Sequence, residues 1–284
     1  MNSPSPTAKK KSDLPVRLAT ALVLAAVVIA DLAVGSVALW AALVTVFCLA
    51  AAWEGARLAA KPAVALQLVL TVAAIAFVGW SLYDGAASAM TLTLVLVAVA
   101  VFWVVIAPLQ LARRSIDISS TSGRIIFAVL IAAAWLAAVA LYRVSVWHLI
   151  AVVVLTVVAD VAAYFFGRKF GRVKLAPSIS PGKSREGALA GIVAAGLWSL
   201  GAAWYLELSS NYLVLIANAL FGGALGALAV IGDLWESQLK RQAGAKDSSQ
   251  LLPGHGGVLD RIDAQMAVLP VATLMLSFIV PMWK

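Results

Sequence analysis

Charge is scarce in this chain. Of its 284 residues, 12% are Asp, Glu, Lys or Arg and 63% are hydrophobic. An ordinary soluble domain carries about 25% charged residues, so a water-facing fold of this length is excluded. The bilayer is the expected solvent for most of the chain. Cysteine is equally scarce: Cys48, inside an apolar run, has no partner for an intrachain disulfide and reads as a packing residue. The first apolar segment lacks a small-x-small cleavage site and is followed by more spans, so a removable signal peptide is not expected. No internal repeat is visible.

What is present is a succession of apolar runs. A helical span needs roughly 20 mainly apolar residues. Nine such runs stand near 17–34, 36–53, 64–82, 90–109, 124–142, 147–166, 187–205, 211–232 and 264–282. The first two are short and joined at Gly35, so a hairpin that does not fully cross is an alternative for them. Residues 1–14, with Lys9, Lys10 and Lys11, read as a disordered basic tail. Residues 15–145 form an N-terminal set of membrane helices, and 146–284 a second region that holds most of the unexplained polar residues. The expected class is an all-α polytopic membrane protein with a polar cavity open to the cytoplasm.

Topology follows from the cations. With the N-terminus in the cytoplasm, 19 of the 21 Lys and Arg fall on inside segments, leaving only Arg143 and Lys284 outside. Trp53, Trp80, Trp103, Trp147, Trp204, Trp235 and Trp283 sit near span ends, as an interfacial belt requires. The outside loops are short. The inside stretches 167–186 and 233–263 are long and polar, so any chemistry is expected to face the cytoplasm.

The segment 232–263 concentrates that chemistry. If the eighth helix continues past Gly232, Asp233, Glu236, Ser237 and Lys240 share one face, at i, i+3, i+4 and i+7. Asp260 and Asp263 repeat the i, i+3 spacing at the start of the last span. Carboxylates near hydrocarbon are costly and persist when paired or cation-bound. Two helix ends presenting them to one cleft form an all-oxygen site suited to Mg²⁺. Lys240, Arg241, Lys246 and Arg261 supply positive charge for phosphate oxygens. The turn Pro253-Gly254-His255-Gly256-Gly257 removes side chains where backbone N–H groups meet an anion. A single Asp–Arg pair would read as an interfacial ion pair. The whole set within one short stretch reads as phosphoryl or nucleotidyl transfer.

The other inside stretch carries Asp160 and Tyr164 on one helix face, then Gly167-Arg168, Gly171-Arg172 and the turn Ser180-Pro181-Gly182-Lys183 before a helix N-terminus. A Walker A loop is excluded, because its leading Gly-x₄-Gly is missing. The basic residues alone fit topology signals or headgroup contacts equally well. Asp160, a carboxylate in a membrane helix, is a functional candidate in its own right. Gly222 and Gly226 read as a helix-packing motif. Asp31 and Asp84 are expected to be solvated at the outer face, His148 to be interfacial, and Glu54 is a minor candidate for the site.

The run Ser237-x-Leu239-Lys240-Arg241, Lys246-Asp247, Pro253-Gly254-His255-Gly256-Gly257 and Asp260-Arg261-x-Asp263 resembles the signature of the phosphatidate cytidylyltransferases, or CDP-diacylglycerol synthases. Asp160, the Gly167–Arg172 segment and Ser180–Lys183 also look like that family, so the likeness covers about 160–263. Arg185 departs from it, standing where many relatives carry an aromatic residue.

The resemblance implies transfer of CMP from CTP to phosphatidate, giving CDP-diacylglycerol and pyrophosphate for phospholipid synthesis. It implies Mg²⁺, with K⁺ as a companion ion, on Asp233 and Asp260. Asp263 would support them, and Lys240, Arg241 and Lys246 would hold the triphosphate. Substrate contacts are expected from Asp160, Arg172, Ser180, Lys183, Ser237, Asp247, His255, Gly256, Gly257 and Arg261. Further expectations are a homodimer, no nucleic-acid partner, and a bacterial plasma membrane with the site cytoplasmic. A CTP-dependent enzyme acting on another lipid and a transporter with an intramembrane acidic site are the rival readings.

Overall fold

The computed structural model describes residues 14–83, 86–205 and 211–278. The basic tail before Leu14, Asp84, Trp283 and Lys284 lie outside the described residues. The chain is a helical bundle: α1 (Leu14–Val34), α2 (Val37–Leu58), α3 (Val64–Tyr83), α4 (Ala86–Val101), α5 (Ala107–Arg113), α6 (Thr121–Val144), α7 (Val146–Phe170), α8 (Arg185–Tyr205), α9 (Tyr212–Gln242) and α10 (Leu259–Ser277). A π-turn at Phe102–Ile106 joins α4 to α5 without a break. Pro108 follows it. A proline has no N–H and crowds the carbonyl four residues back, and the wider turn makes room for it.

Eight helical segments among the described residues are long and apolar enough to cross a membrane. Helix α10 overlaps the ninth predicted span but starts five residues earlier, and Asp260, Arg261 and Asp263 crowd its first five residues. The protein is thus an all-α polytopic membrane protein. The first two spans, expected to be short, are full helices of 21 and 22 residues. Gly35, at φ 72°, makes the turn between them, and Ser36 caps α2.

Helix α6 forms the centre. Its apolar window is 83% buried inside the protein, against 33% or less for every other span. Its run Ala132-Ala133-Ala134-Trp135-Leu136-Ala137-Ala138 is apolar on all sides, as a helix without a solvent or lipid face must be. Trp135 Nε1 donates to Thr45 Oγ1 at 2.8 Å, and Trp40 Nε1 to the Ala138 carbonyl at 3.1 Å, tying α2 to it. Arg124 is buried and structural: it donates to the carbonyls of Ser119 and Lys61.

The tryptophan belt holds only in part. Trp80, Trp147 and Trp204 are exposed, but Trp103 and Trp235 are buried and pack together with Phe102 and Phe127. Trp235 Nε1 donates to Gln110 Oε1 at 2.8 Å, whereas Trp103 Nε1 is shielded with no acceptor among the described residues. Asp31, expected to be solvated, is half-buried with one oxygen shielded. His148 lines an apolar cavity of about 530 Å³ between α7, α8, α9 and α10, its ring nitrogens shielded.

Helices α7, α8, α9 and α10 approach through small residues. A Cβ on Gly187 would sit 2.7 Å from the Ala163 carbonyl, and one on Gly191 2.7 Å from that of Ala159. Gly226 would place one 2.7 Å from Ala195 Cβ, which makes Gly222 and Gly226 the packing motif expected. Close approach here sets the site, because Asp160, Asp233 and Asp263 lie on α7, α9 and α10.

Candidate active site

Two polar segments differ from their expected form. The helix carrying Asp233 does not end there; α9 runs on to Gln242, so the shared face of Asp233, Glu236, Ser237 and Lys240 exists as built helix. Ser180–Lys183 is not a turn. It belongs to a strand, β2 (Ser180–Ser184), paired antiparallel with β1 (Lys174–Ala176). The turn lies at 177–179 instead, where the Ile179 N–H donates to the Ala176 carbonyl at 3.1 Å. Proline at 181 is tolerated because this two-stranded ribbon leaves its strands with open edges.

The hairpin is anchored on three sides. Arg241 Nε donates to the Ile179 carbonyl at 3.1 Å, and Arg114 to Ser178 Oγ at 2.6 Å. Glu186 accepts the N–H groups of Arg172 and Val173 at 3.1 and 3.2 Å. Gly167 leaves room for Ser184, whose hydroxyl would stand 3.1 Å from a Cβ there. Held in this way, β2 delivers Lys183 to Asp233: the Lys183 ammonium pairs with Asp233 Oδ2, and Ser237 Oγ donates to Oδ1 at 3.2 Å.

One helical turn further along α9, a second ion-pair unit forms. Lys240 Nζ stands 2.6 Å from Glu236 Oε2 and 2.5 Å from Asp260 Oδ1. Glu236 is buried and has Lys240 as its cation. Asp260 Oδ2 accepts from Gly257 N–H at 2.8 Å and from both Ser248 N–H and Ser248 Oγ at 3.0 Å. Asp263 lies within electrostatic range of Asp233 and Asp160. The structure therefore gathers Asp160, Lys183, Asp233, Glu236, Ser237, Lys240, Asp260 and Asp263 at one end of the bundle.

The other expected residues are arranged around this centre. Lys246 and Asp247 are exposed on the loop after α9, and Arg172 is exposed at the end of α7. Arg261 is exposed and donates to the His255 carbonyl at 2.7 Å. Ser180 holds hairpin register opposite Ala176. His255 Nδ1 is shielded, and its N–H closes the turn onto Leu252. Gly254 and Gly256 have φ of 75° and 84°, which only glycine adopts without strain. A Cβ on Gly256 would lie 2.8 Å from Asp260 Oδ2. The glycine turn does meet an anion closely, and that anion is the protein's own carboxylate.

Sequence reasoning gave too little weight to Glu54. It is fully buried and accepts from Ser249 Oγ at 2.6 Å, Ser248 Oγ at 3.0 Å, and the N–H groups of Val258 and Leu259 at 2.9 and 2.6 Å. The one sequence signal for it is a carboxylate in the last turn of a membrane helix. Ser248 and Ser249 gave no signal at all.

No three His, Cys, Asp or Glu side chains converge as a metal cage among the described residues. Mg²⁺ needs only one or two carboxylates, with water and substrate phosphate completing its shell. Asp233 fits: its partners are one lysine and one hydroxyl, and the carboxyl groups of Asp160 and Asp263 lie within electrostatic range of it. Asp260 Oδ2 accepts two N–H groups and shares the Ser248 hydroxyl with Glu54, so Oδ1, now held by Lys240, is the oxygen better placed for a cation.

A phosphatidate cytidylyltransferase of Haemophilus influenzae is 45% identical over 135 residues, 46% of this chain and 46% of the relative. One from Pseudomonas aeruginosa is 48% identical over 129 residues, covering 45% of this chain and 46% of the relative. One from Synechocystis is 42% identical over 123 residues, 43% and 41% of the two chains. The aligned part spans somewhat under half the length of these relatives. The model of the cytidylyltransferase family matches residues 15–279, nearly the whole chain. This protein belongs to the cytidylyltransferase family.

Proposed function

We propose that the protein transfers CMP from CTP to phosphatidate, forming CDP-diacylglycerol and releasing pyrophosphate. The observation that carries this reading is the pair of lysine–carboxylate units one turn apart on α9, with Lys183 on Asp233 and Lys240 between Glu236 and Asp260. The names of the bacterial relatives point to the same substrates.

The chemistry asks for charge neutralisation more than for proton transfer. An anionic phosphate oxygen of the lipid attacks the α-phosphorus of CTP, and the bond from that phosphorus to the β-bridging oxygen breaks. The attacking oxygen carries no proton that must leave, so no general base is needed and His255 has no such role. The barrier is the approach of two anions, which fixed cations lower by holding the groups in line. Lys240, Arg241 and Lys246 are assigned to the triphosphate and the departing pyrophosphate. Arg172, Ser180 and Lys183 are assigned to the lipid phosphate.

Mg²⁺ is assigned to Asp233 and to Asp260 Oδ1, with Asp263 in support; when bound it would supply Lewis-acid neutralisation of phosphate oxygens. Lys183 and Lys240 already balance those carboxylates, so each is placed to turn to substrate phosphate on cation binding. A companion K⁺ and a second copy of the chain belong to the same proposal. So does a bacterial inner membrane with the charged end and the N-terminus cytoplasmic. Arg114, Arg241 and Arg261 all stand at that end, as the positive-inside rule expects of a cytoplasmic face.

The test is direct. Protein purified in detergent receives phosphatidate, Mg²⁺ and labelled CTP, with diacylglycerol and a polyprenyl phosphate as alternative acceptors. Labelled CDP-diacylglycerol and pyrophosphate in equal amounts are expected, and chelation of Mg²⁺ should stop both. Label transferred only to another acceptor, or only from another nucleotide, overturns the reading.

A further inference from the structure

We infer that Glu54 is a positioning residue for the site: from α2 it caps the N-terminus of α10 and thereby fixes the orientation of Asp260. The kinetic part of this inference rests on the proposed reaction; the structural part does not.

Helix α10 begins without a side-chain cap of its own, because its first flanking residue is Val258. The first N–H groups of any helix need external acceptors. Those of Val258 and Leu259 go to Glu54 Oε1 and Oε2, and that of Gly257 to Asp260 Oδ2. Glu54 is fully buried. A buried carboxylate is costly unless donors surround it, and this one has four: two N–H groups and the hydroxyls of Ser248 and Ser249. The partial positive charge of the helix N-terminus adds to them.

The link to Asp260 is the Ser248 hydroxyl. It lies 3.0 Å from Glu54 Oε2 and 3.0 Å from Asp260 Oδ2, so its single proton is shared between two carboxylates. Gly257 has no room for a side chain here; a Cβ would stand 2.6 and 2.7 Å from the Glu54 oxygens. Glu54 therefore touches neither Lys240 nor the exposed cations. It holds the loop and helix start from which Asp260 reaches Lys240.

The test uses the full chain in detergent, wild type against Glu54→Gln. The amide variant keeps the shape but replaces one acceptor oxygen by a donor facing N–H and O–H groups. Hydrogen exchange over 246–262 should quicken about tenfold or more, the factor set by loss of about one hydrogen bond, while exchange over 174–184 stays unchanged. With phosphatidate and CTP, kcat should fall about a hundredfold with KM for CTP nearly constant. Ser249→Ala, which removes one donor to Glu54 and leaves Asp260 untouched, should show the same pattern in milder form and covers the case in which Glu54→Gln does not fold. Unchanged exchange over 246–262 overturns the cap. Faster exchange with normal kcat overturns the positioning role. If wild type makes no CDP-diacylglycerol while Glu54→Gln still speeds exchange, the proposed reaction fails and the cap stands.

Discussion

Gly232 on α9 meets the backbone carbonyl of Asp263 on α10 so closely that a Cβ there would lie 2.6 Å from the oxygen. That crossing brings Asp233, the next residue, and Asp263 to the same place. Gly232→Ala should therefore separate the two helices. A loss of about 1–3 kcal/mol is expected from overpacking, read as a lower melting temperature in detergent. Activity should fall further than stability does, because the site spans the crossing.

Lys183 comes from the hairpin and is the cation on Asp233. Lys183→Gln should leave the fold intact, since both groups are partly accessible to solvent. It should lower kcat/KM about 10²–10³-fold, the effect of removing one preorganised charge from a phosphate-handling site. Steady-state kinetics with varied phosphatidate and CTP checks it, and near-normal turnover would remove Lys183 from the machinery.

Lys240 and Asp260 act as one unit with Glu236. Asp260→Asn should abolish measurable turnover with the protein still inserted. Lys240→Met should lower the melting temperature more than Asp260→Asn does, because it leaves the buried Glu236 without its cation. The double variant should be no worse than the poorer single one, a non-additivity expected of residues in one network. A cycle in which the losses simply add would separate the two residues.

Arg241 has two candidate roles, and kinetics distinguishes them. It donates to the carbonyls of Ile179 and Ala245, so it holds the hairpin. If it also holds triphosphate, Arg241→Lys should raise KM for CTP about tenfold as well as quickening hairpin exchange, because a lysine reproduces neither the guanidinium ties nor a bidentate phosphate contact. If it only holds the hairpin, exchange over 174–184 should quicken and KM should stay put.

Asp117, in the loop before α6, is not part of the two ion-pair units. The Ser119 N–H, then Ser120, hold its carboxyl below the usual carboxylate range. A lowered folded-state pKa stabilises above the ordinary value and is lost as pH falls through the folded one. Asp117→Asn should therefore lower the melting temperature slightly near neutrality. The gap to wild type should close as the pH is taken below about 4. A gap independent of pH would contradict the assignment.

Hydrophobic runs were enough to place the long membrane helices, because length in hydrocarbon is a property of contiguous residues. Helical period was enough to read Asp233, Glu236, Ser237 and Lys240 as one face, and α9 carries them so. The same logic failed for Trp103 and Trp235. Closeness to a span end does not say which side of the helix a ring occupies, and both rings turn inward. It failed also for Ser180–Lys183, whose Pro-Gly reads as a turn although the register of β1 and β2 places the turn earlier.

The sequence by itself determined that this is a multi-span helical membrane protein with acidic and basic residues massed near Asp233 and Asp260, since composition and periodicity are local. The tertiary structure alone decided which charges meet. Lys183 reaches Asp233 across 50 positions, and Glu54 reaches Ser248 across 194. Those partners follow from helix crossings at Gly187, Gly191 and Gly232, where small side chains permit contact. No local pattern encodes which distant helix will fill such a gap.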